Sequence, residues 1–309
     1  MPQDYSYTIE EVAQLLKVSK LTIYDLVKKE ELPVYRVGRQ MRVDQEDLQK
    51  YIQKSKTGSS VKEVATPKQV QHDSDKKKVI ISGQDLVLDL LGKYIEKDQK
   101  VKILRSHEGS YNGVLAMYNG DCDIASMHMY DGDTGEYNTS YLKKIFVSHP
   151  YIQIHLLTRM AGFYVEKGNP LGIQSFEDIT KPDLRIINRE KGSGARTLLD
   201  EKLRVHEIPR ATILGYEDEE KSHLDVASAV AQGHAQLAVG IEKIAKLVNV
   251  DFIPLVEESY DIVLFKSPEN EQLVETVKSI LQSSEFQDEV AALGGYSIQN
   301  MGKVIYESL

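Results

Sequence analysis

The first fifty residues carry apolar positions at helical spacing in two successive stretches. Thr8 and Glu11 are spaced as a capping box that begins the first predicted helix, and Ser19 is placed to cap the second. The apolar faces of these helices comprise Ile9, Val12, Ala13 and Leu16, and then Ile23, Tyr24 and Val27. Two helices separated by a turn of a few residues predict a helix-turn-helix unit.

Two short β-prone runs follow this unit, on either side of a Gly38-Arg39 pair that suits a tight hairpin. Asp44 would then cap a third helix, whose apolar residues are Leu48, Tyr51 and Ile52. The pattern predicts a small winged helix-turn-helix head, mainly α with one β-hairpin, over residues 1–54.

Residues 55–77 lose the hydrophobic rhythm and are rich in Lys, Ser, Gly, Gln, Asp and Thr, which is the composition of a flexible linker. Residues 78–309 then alternate short apolar strands with helices, such as 86–96 and 224–231, and this alternation predicts an α/β body with mostly parallel sheets. The predicted strands are 79–81, 101–104, 124–125, 152–157, 163–165, 185–187, 237–239, 252–255 and 262–264.

Composition limits the functional classes. The chain of 309 residues has a formal net charge of −9, so any binding to nucleic acid must depend on local placement of charge. The single cysteine, Cys122, cannot form an internal disulfide or a CxxC metal site, and we expect it to be a buried apolar residue. Without a signal-like N-terminus or a long apolar run, the expected location is cytoplasmic.

The stretch from Tyr7 to Ile52, carried by YTIEEVAQLLKVSKLTIYDLVKKEELPVYRVGRQMRV, resembles the excisionase and MerR-like family of winged helix-turn-helix domains. The resemblance implies that the second helix enters the major groove of double-stranded DNA and that the wing meets its backbone or minor groove. The expected DNA contacts are Ser19, Lys20, Thr22, Tyr24, Lys28, Arg36, Arg39 and Arg42. We expect a homodimer on a palindromic or direct-repeat operator; the alternative is solvated surface charge on a protein-interaction module.

Three places in the body show a strand followed by Ser and Gly and then a helix: 82–83, 109–110 and 192–194. At such turns, free backbone N–H groups and the helix dipole favour an anion. Each turn alone is a common loop between a strand and a helix, but three in order predict one anion-binding cleft.

The body also resembles the sensor domains of the periplasmic-binding-protein type (type II) that are related to molybdate- and tungstate-binding proteins. The segments that carry this resemblance are SHEGSYNGVLAMYNGDCDIASMHMYD, RMAGFYVEKGNPLGI, INREKGSGARTLLD, DVASAVAQGHAQLAVGI, FIPLVEESYDIVLF and LGGY. The resemblance implies two α/β lobes that close on a ligand by a hinge motion. We expect lobe one at 79–158 and 256–309, lobe two at 159–255, and a small anionic ligand, with molybdate or tungstate as the leading examples.

The expected ligand contacts are Ser82, Gly109, Ser110, His128, Gly192, Ser193, Gly194, Arg196, His223 and Tyr260. Arg196 is either a bidentate oxyanion contact or the partner of Asp200, four residues further along a helix. The two histidines leave a small organic or sulfur-containing ligand open. Ala195 stands where a threonine is frequent in this motif, which removes one hydroxyl donor.

The sequence contains no Gly-x-Ser-x-Gly elbow, HExxH, Walker lysine or GxGxxG motif, so we expect no enzyme, metal or cofactor. The leading hypothesis is a one-component transcription regulator that senses a small ligand. Two alternatives remain: an architectural, excisionase-like DNA-binding protein, and a cytoplasmic ligand-binding accessory protein that does not bind DNA.

Overall fold

The computed structural model describes residues 6–16, 20–29, 32–37, 40–44, 47–48, 51 and 77–308. The chain divides into two compact units, Met1–Gln71, called the head, and His72–Leu309, called the body. The predicted linker lies outside the described residues except for Lys77, and its boundaries stay a prediction.

The head contains the two predicted helices and the predicted hairpin. Its elements are β1 (Ser6–Thr8), α1 (Ile9–Leu15), α2 (Lys20–Lys28), β2 (Tyr35–Val37) and β3 (Gln40–Asp44). The capping box is confirmed, because Thr8 N donates to Glu11 Oε2 at 2.7 Å and Glu11 N donates to Thr8 Oγ1 at 3.3 Å. Strand β1, which the sequence did not predict, pairs antiparallel with β3 beside β2. Of the predicted third helix, Asp47, Leu48 and Tyr51 are described and helical.

The body begins with lobe-one elements and returns to them at its end. Its strands are β4 (Lys77–Ser82), β5 (Val101–Ser106), β6 (Ile124–Met127), β7 (Tyr151–Val165), β8 (Ile186–Arg189), β9 (Glu219–Glu220), β10 (Leu237–Ile241), β11 (Asp251–Phe265) and β12 (Val304–Glu307). Its α-helices are α3 (Leu86–Asp98), α4 (Ser110–Tyr118), α5 (Thr139–Ile145), α6 (Gly194–Val205), α7 (His223–Ala231), α8 (Glu242–Val248), α9 (Glu271–Gln282) and α10 (Ser284–Ala292). Two 3-10 helices are Phe176–Thr180 and Arg210–Thr212.

The long strands β7 and β11 connect the two lobes. They pair antiparallel from end to end, with Asp251 opposite Val165 and Phe265 opposite Tyr151. One end of this ribbon pairs with β6 and β12, and the other end pairs with β10. The described strands follow the order β5-β4-β6-β11-β7-β10-β8-β9, with β12 also on β7. The sequence predicted two short strands in place of each long one, and the structure corrects this.

The two lobes have separate hydrophobic cores. The clusters around Leu88 and Met127 use residues up to 157 and from 260 onward. The clusters around Leu199 and Val226 use residues 161–256, together with Tyr130 and Tyr137. Cys122 is buried, as predicted. No helix in the described part of the chain is long and apolar enough to cross a membrane.

Candidate functional site

A cavity of about 750 Å³ opens between the lobes of the body. Its walls come from the loops that follow β4, β5 and β6 in lobe one and β8, β9 and β10 in lobe two. The middle of the β7–β11 ribbon, called the hinge ribbon because the chain passes between the lobes there, completes the walls. Ligand sites of α/β proteins lie at the carboxyl ends of strands, because the following loops and helix N-termini converge there. The cavity is large enough for a small organic molecule.

Five helices of the body begin at the cavity wall, and three of them, α4, α6 and α7, follow a glycine or a serine. Helix α4 follows Gly109, α6 follows Ser193 and α7 follows Ser222, and all three preceding residues line the cavity. The first amides of a helix have no partner within that helix, and the helix dipole adds partial positive charge there. The three N-termini therefore give one cavity several donors suited to a negatively charged group.

Arg159 lies at the crossover of β7 and lines the cavity, although it is only 5% exposed. Its Nη1 is 2.6 Å from Asp85 Oδ2, its Nε is 2.5 Å from Glu258 Oε1, and its guanidinium carbon is 4.4 Å from the ring centre of Tyr260. Burial alone would raise the pKa of Glu258, but the positive charge of Arg159, followed by the interaction with the neighbouring His128, lowers it to about 2. The ion pair is therefore charged at neutral pH.

Arg189 enters the cavity from lobe two at the end of β8 and is 3% exposed. Its Nε and Nη2 donate to Glu190 at 2.8 and 2.9 Å, and Nη2 also donates to Gln84 Oε1 at 2.8 Å. Within the described residues, Nη1 of Arg189 and Nη2 of Arg159 donate to no protein acceptor, and neither atom is sealed from solvent. Each buried arginine thus keeps one nitrogen for a bound molecule.

Two histidines complete the polar wall. His128 Nδ1 lies 2.9 Å from Glu258 Oε2, and its ring packs against Tyr260 with the centres 5.3 Å apart. Burial lowers the pKa of His128, although Glu258 opposes the shift. Burial, and then the charges of Arg189 and Arg159, lower the pKa of His223 well below its ordinary value. Both imidazoles are neutral at pH 7, so each can donate one hydrogen bond and accept one.

The lobes touch across the cavity mouth. Tyr111 N, in lobe one, donates to Gly192 O in lobe two at 2.9 Å, and Gln84 bridges to Arg189. A Cβ built on Gly194 would lie 2.2 Å from His128 Nδ1, so this close approach requires glycine. The structure therefore has the closed arrangement of the two lobes.

Most predicted ligand contacts come together at this cavity. Its lining includes Gly109, Ser110, His128, Ser193, Gly194, His223 and Tyr260. Three others lie elsewhere. Ser82 Oγ is buried beside Gly113 without a hydrogen-bond partner in the described part of the chain. The carbonyl oxygen of Gly192 accepts a hydrogen bond from Tyr111 N.

Arg196 lies outside the lining and has the alternative role that the sequence left open. It is 3.2 Å from Asp200, 3.0 Å from Glu219 and stacked 4.3 Å from the ring centre of Tyr216. These interactions hold α6 against the neighbouring loop, and Arg196 is not among the residues that line the cavity.

Sequence reasoning missed the two arginines that do face the cavity. The signal was a charged residue next to a buried strand: Arg159 interrupts the apolar run of β7, and Arg189 ends β8. Gln84, Ser126, Ser222 and Lys243 also line the cavity and were not proposed.

The predicted DNA contacts in the head are described only in part. Lys20 begins α2 and is exposed, with Nζ 2.8 Å from Glu10 Oε1 on α1. Thr22 in α2 is exposed, and Arg42 in β3 is partly exposed. Tyr24 and Lys28 fall within α2 and Arg36 within β2, whereas Ser19 and Arg39 lie outside the described residues.

The two units define a helix-turn-helix domain joined to a two-lobed ligand-binding domain. A helix-turn-helix domain model matches residues 6–56, and a PBP superfamily domain model matches residues 92–282. The chain belongs to the PBP superfamily and carries a helix-turn-helix domain at its N-terminus, as the sequence predicted. Neither of the two matched models names an enzyme.

One curated relative matches along its whole length. The uncharacterized protein YvgK of Bacillus subtilis is 48% identical over 310 residues, which cover 100% of both chains. The two-domain arrangement is thus shared by a full-length relative.

Two solved structures share the fold of the body. A "putative phosphate ABC transporter substrate-binding protein with bound phosphate" from Clostridium perfringens is 15% identical, with a TM-score of 0.53 over 72% of this chain and 99% of its own. The ancestral amino acid-binding protein AncCDT-1 is 16% identical, with a TM-score of 0.51 over 70% of this chain and 95% of its own. These similarities establish the fold of the body.

Proposed function

We propose that this protein is a ligand-responsive DNA-binding regulator. The head binds a DNA operator, the cavity of the body binds a small anionic molecule, and occupancy of the cavity changes the affinity of the protein for DNA. The observation that carries the proposal is the union, in one chain, of a helix-turn-helix domain and a cavity with unpaired donors from Arg159 and Arg189. A ligand that favours the closed lobes would supply the conformational signal.

An anion is the ligand class that the cavity supports best. Helices α4, α6 and α7 begin at its wall, and the free nitrogens of Arg159 and Arg189 add charged donors. The Clostridium perfringens protein of the same fold holds phosphate, and the sequence resemblance points to molybdate and tungstate. These oxyanions are therefore the first ligands to test.

DNA binding by the head is proposed to use the exposed face of α2 and the hairpin. Lys20 and Thr22 lie on α2 and Arg42 lies on β3, the hairpin strand that follows the wing tip. One head neutralises few phosphates and should bind weakly. A homodimer that reads two half-sites in the cytoplasm is part of the proposal.

The first test is a thermal-shift screen of the full chain against molybdate, tungstate, phosphate and sulfate. A ligand at a hundredfold excess over its Kd stabilises the folded body by about 2.7 kcal/mol. DNA fragments selected from a random library are then titrated by fluorescence anisotropy with and without each binder. Regulation requires a change in the Kd for DNA when a binder is present.

Two variants separate the functions of the units. Ser110→Ala should weaken anion binding and spare DNA binding, because Ser110 lines the cavity at the start of α4. Lys20→Ala should weaken DNA binding and spare anion binding. DNA binding that no cavity ligand alters would favour an architectural protein, and ligand binding without DNA binding would favour an accessory protein.

A further inference from the structure

The cavity lining includes apolar side chains that an inorganic oxyanion would not use. Leu86 of lobe one and Leu224 and Leu247 of lobe two line it, yet they remain 60%, 49% and 71% exposed. Ile241 and Ile244 lie beside them in the lining. Exposed apolar side chains that converge on one cavity indicate that an apolar part of a ligand covers them.

The buried carboxylates at the cavity already have partners within the protein. Asp85 accepts hydrogen bonds from Val87 N and from Tyr296 Oη, each at 3.0 Å, and is paired with Arg159. Both oxygens of Glu258 contact Arg159 or His128. The cavity therefore offers free donors but no uncommitted buried carboxylate, within the described residues, that could pair with an ammonium group.

The two arginines of the cavity already have carboxylate partners, because Arg159 is paired with Asp85 and Glu258 and Arg189 is paired with Glu190. The cavity volume of about 750 Å³ is in the range that drug-sized organic ligands occupy. A lining that combines free donors with exposed leucines describes a molecule with an acidic part and an apolar part.

We infer that the ligand is an organic anion, whose acidic group meets Arg159, Arg189 and the helix N-termini and whose apolar part lies against Leu86, Leu224 and Leu247. This inference rests on the proposed function and narrows its ligand class. The apolar part distinguishes the proposed ligand from an inorganic oxyanion, and the acidic group distinguishes it from an ammonium compound.

Three small probes of the full chain test the inference by isothermal titration calorimetry: phenyl phosphate, inorganic phosphate and phenethylamine. Phenyl phosphate and phosphate share the acidic group, whereas phenethylamine keeps the ring and reverses the charge. We expect phenyl phosphate to bind at least about tenfold more tightly than phosphate, which corresponds to about 1.4 kcal/mol. Phenethylamine is expected not to bind.

Variants locate this preference in the cavity. Leu247→Asn and Leu224→Asn should each reduce the affinity for phenyl phosphate at least threefold and leave that for phosphate unchanged. Leu214→Asn is the matched control, because Leu214 is 51% exposed and lies outside the cavity lining. Arg189→Gln should weaken the binding of both phosphate and phenyl phosphate.

The outcomes separate the two proposals. Equal affinities for phenyl phosphate and phosphate, or tight binding of phenethylamine, would overturn the inference and leave the anion-responsive regulator in place. If neither phosphate, molybdate nor phenyl phosphate binds, both proposals fail. A preference for phenyl phosphate that survives Leu247→Asn and Leu224→Asn would also overturn the inference, because the ring would bind elsewhere.

Discussion

Replacing Gly194 with alanine is expected to hold the two lobes apart. Gly194 is the first residue of α6, where alanine is compatible with the backbone and favours the helix. Its added Cβ would lie 2.2 Å from His128 Nδ1 and 2.6 Å from His128 O. The imidazole is held by Glu258 and Tyr260, and the carbonyl belongs to the backbone, so the nearest way to relieve the clash is to open the cavity.

A minimum size of the effect follows from two of the hydrogen bonds that join the lobes beside the cavity. Non-bonded carbon atoms settle at about 3.5 Å, so the lobes must separate by roughly 1 Å or more at this point. Separation breaks the hydrogen bonds from Tyr111 to Gly192 and from Arg189 to Gln84. At about 1 kcal/mol each, breaking both costs about 2 kcal/mol, or about a thirtyfold weaker affinity for a ligand that needs closed lobes.

Hydrogen exchange at the Tyr111 amide measures closure directly, because its acceptor belongs to the other lobe. Gly194→Ala should speed exchange at Tyr111 and leave exchange at amides that are hydrogen-bonded inside either lobe unchanged. Gly92→Ala is the control: Gly92 meets Ile103 inside lobe one, so crowding there should affect stability and spare the exchange rate of Tyr111. Equal exchange at Tyr111 in the wild type and Gly194→Ala, with equal affinity for phenyl phosphate, would refute the reasoning.

Two further predictions concern buried ionisable groups. Glu258→Gln leaves Arg159 with only Asp85 as a carboxylate partner and should lower the free energy of unfolding, measured by chemical denaturation, by about 3–5 kcal/mol. Glu257→Gln, at the exposed neighbouring residue, should lower it little. Equal losses in the two variants would contradict the buried pairing. The pKa of Glu258 is about 2 in the folded state. The contribution of its charged form to the free energy of unfolding is therefore complete above pH 4.5 and is lost as the pH falls toward 2. In Glu258→Gln the free energy of unfolding should depend less on pH in this range. The pKa of His223 is lowered in the folded state by burial, so below about pH 6.5 the unfolded chain takes up a proton that the folded chain does not. Below that pH the free energy of unfolding should fall by up to about 1.4 kcal/mol per pH unit as the solution is made more acidic. Melting scans of His223→Asn should show a smaller fall. A pH profile identical to that of the wild type would contradict the prediction.

The head could be predicted from local rules. Thr8 and Glu11 form their capping box within four residues, and the predicted apolar positions Ile9, Val12 and Ile23 are buried together. Strand β1 could not be found in this way, because its pairing with β3 joins residues far apart in the sequence and three residues carry too little pattern.

The hinge ribbon was misread because its middle is polar. Arg159 and Glu258 stand where each apolar run pauses, and a pause indicates a turn when only one strand is considered. In the fold, β7 and β11 lie side by side, and the two interruptions neutralise each other as an ion pair. The pairing could be recognised only from both strands together.

Residues that line the cavity could be predicted where a local turn carries the chemistry. Ser110 and Ser193 lie at helix starts that line the cavity, as the turn pattern indicated. Arg196 satisfied the same local pattern, but its side chain turns to Asp200 and Glu219. Which arginine faces the cavity depends on tertiary packing, which local spacing does not encode.

Arg159 links the cavity to the hinge. It lies on β7 where the chain passes between lobes, and it binds Asp85 at the start of α3 in lobe one and Glu258 on the neighbouring hinge strand. A ligand shifts a conformational equilibrium only by the difference in its affinity for the two states. Because the remaining nitrogen of Arg159 belongs to the hinge itself and that of Arg189 to lobe two, an acidic group that meets both gains its full set of hydrogen bonds only when the lobes are closed. The same two arginines can therefore select the ligand and make its binding favour closure.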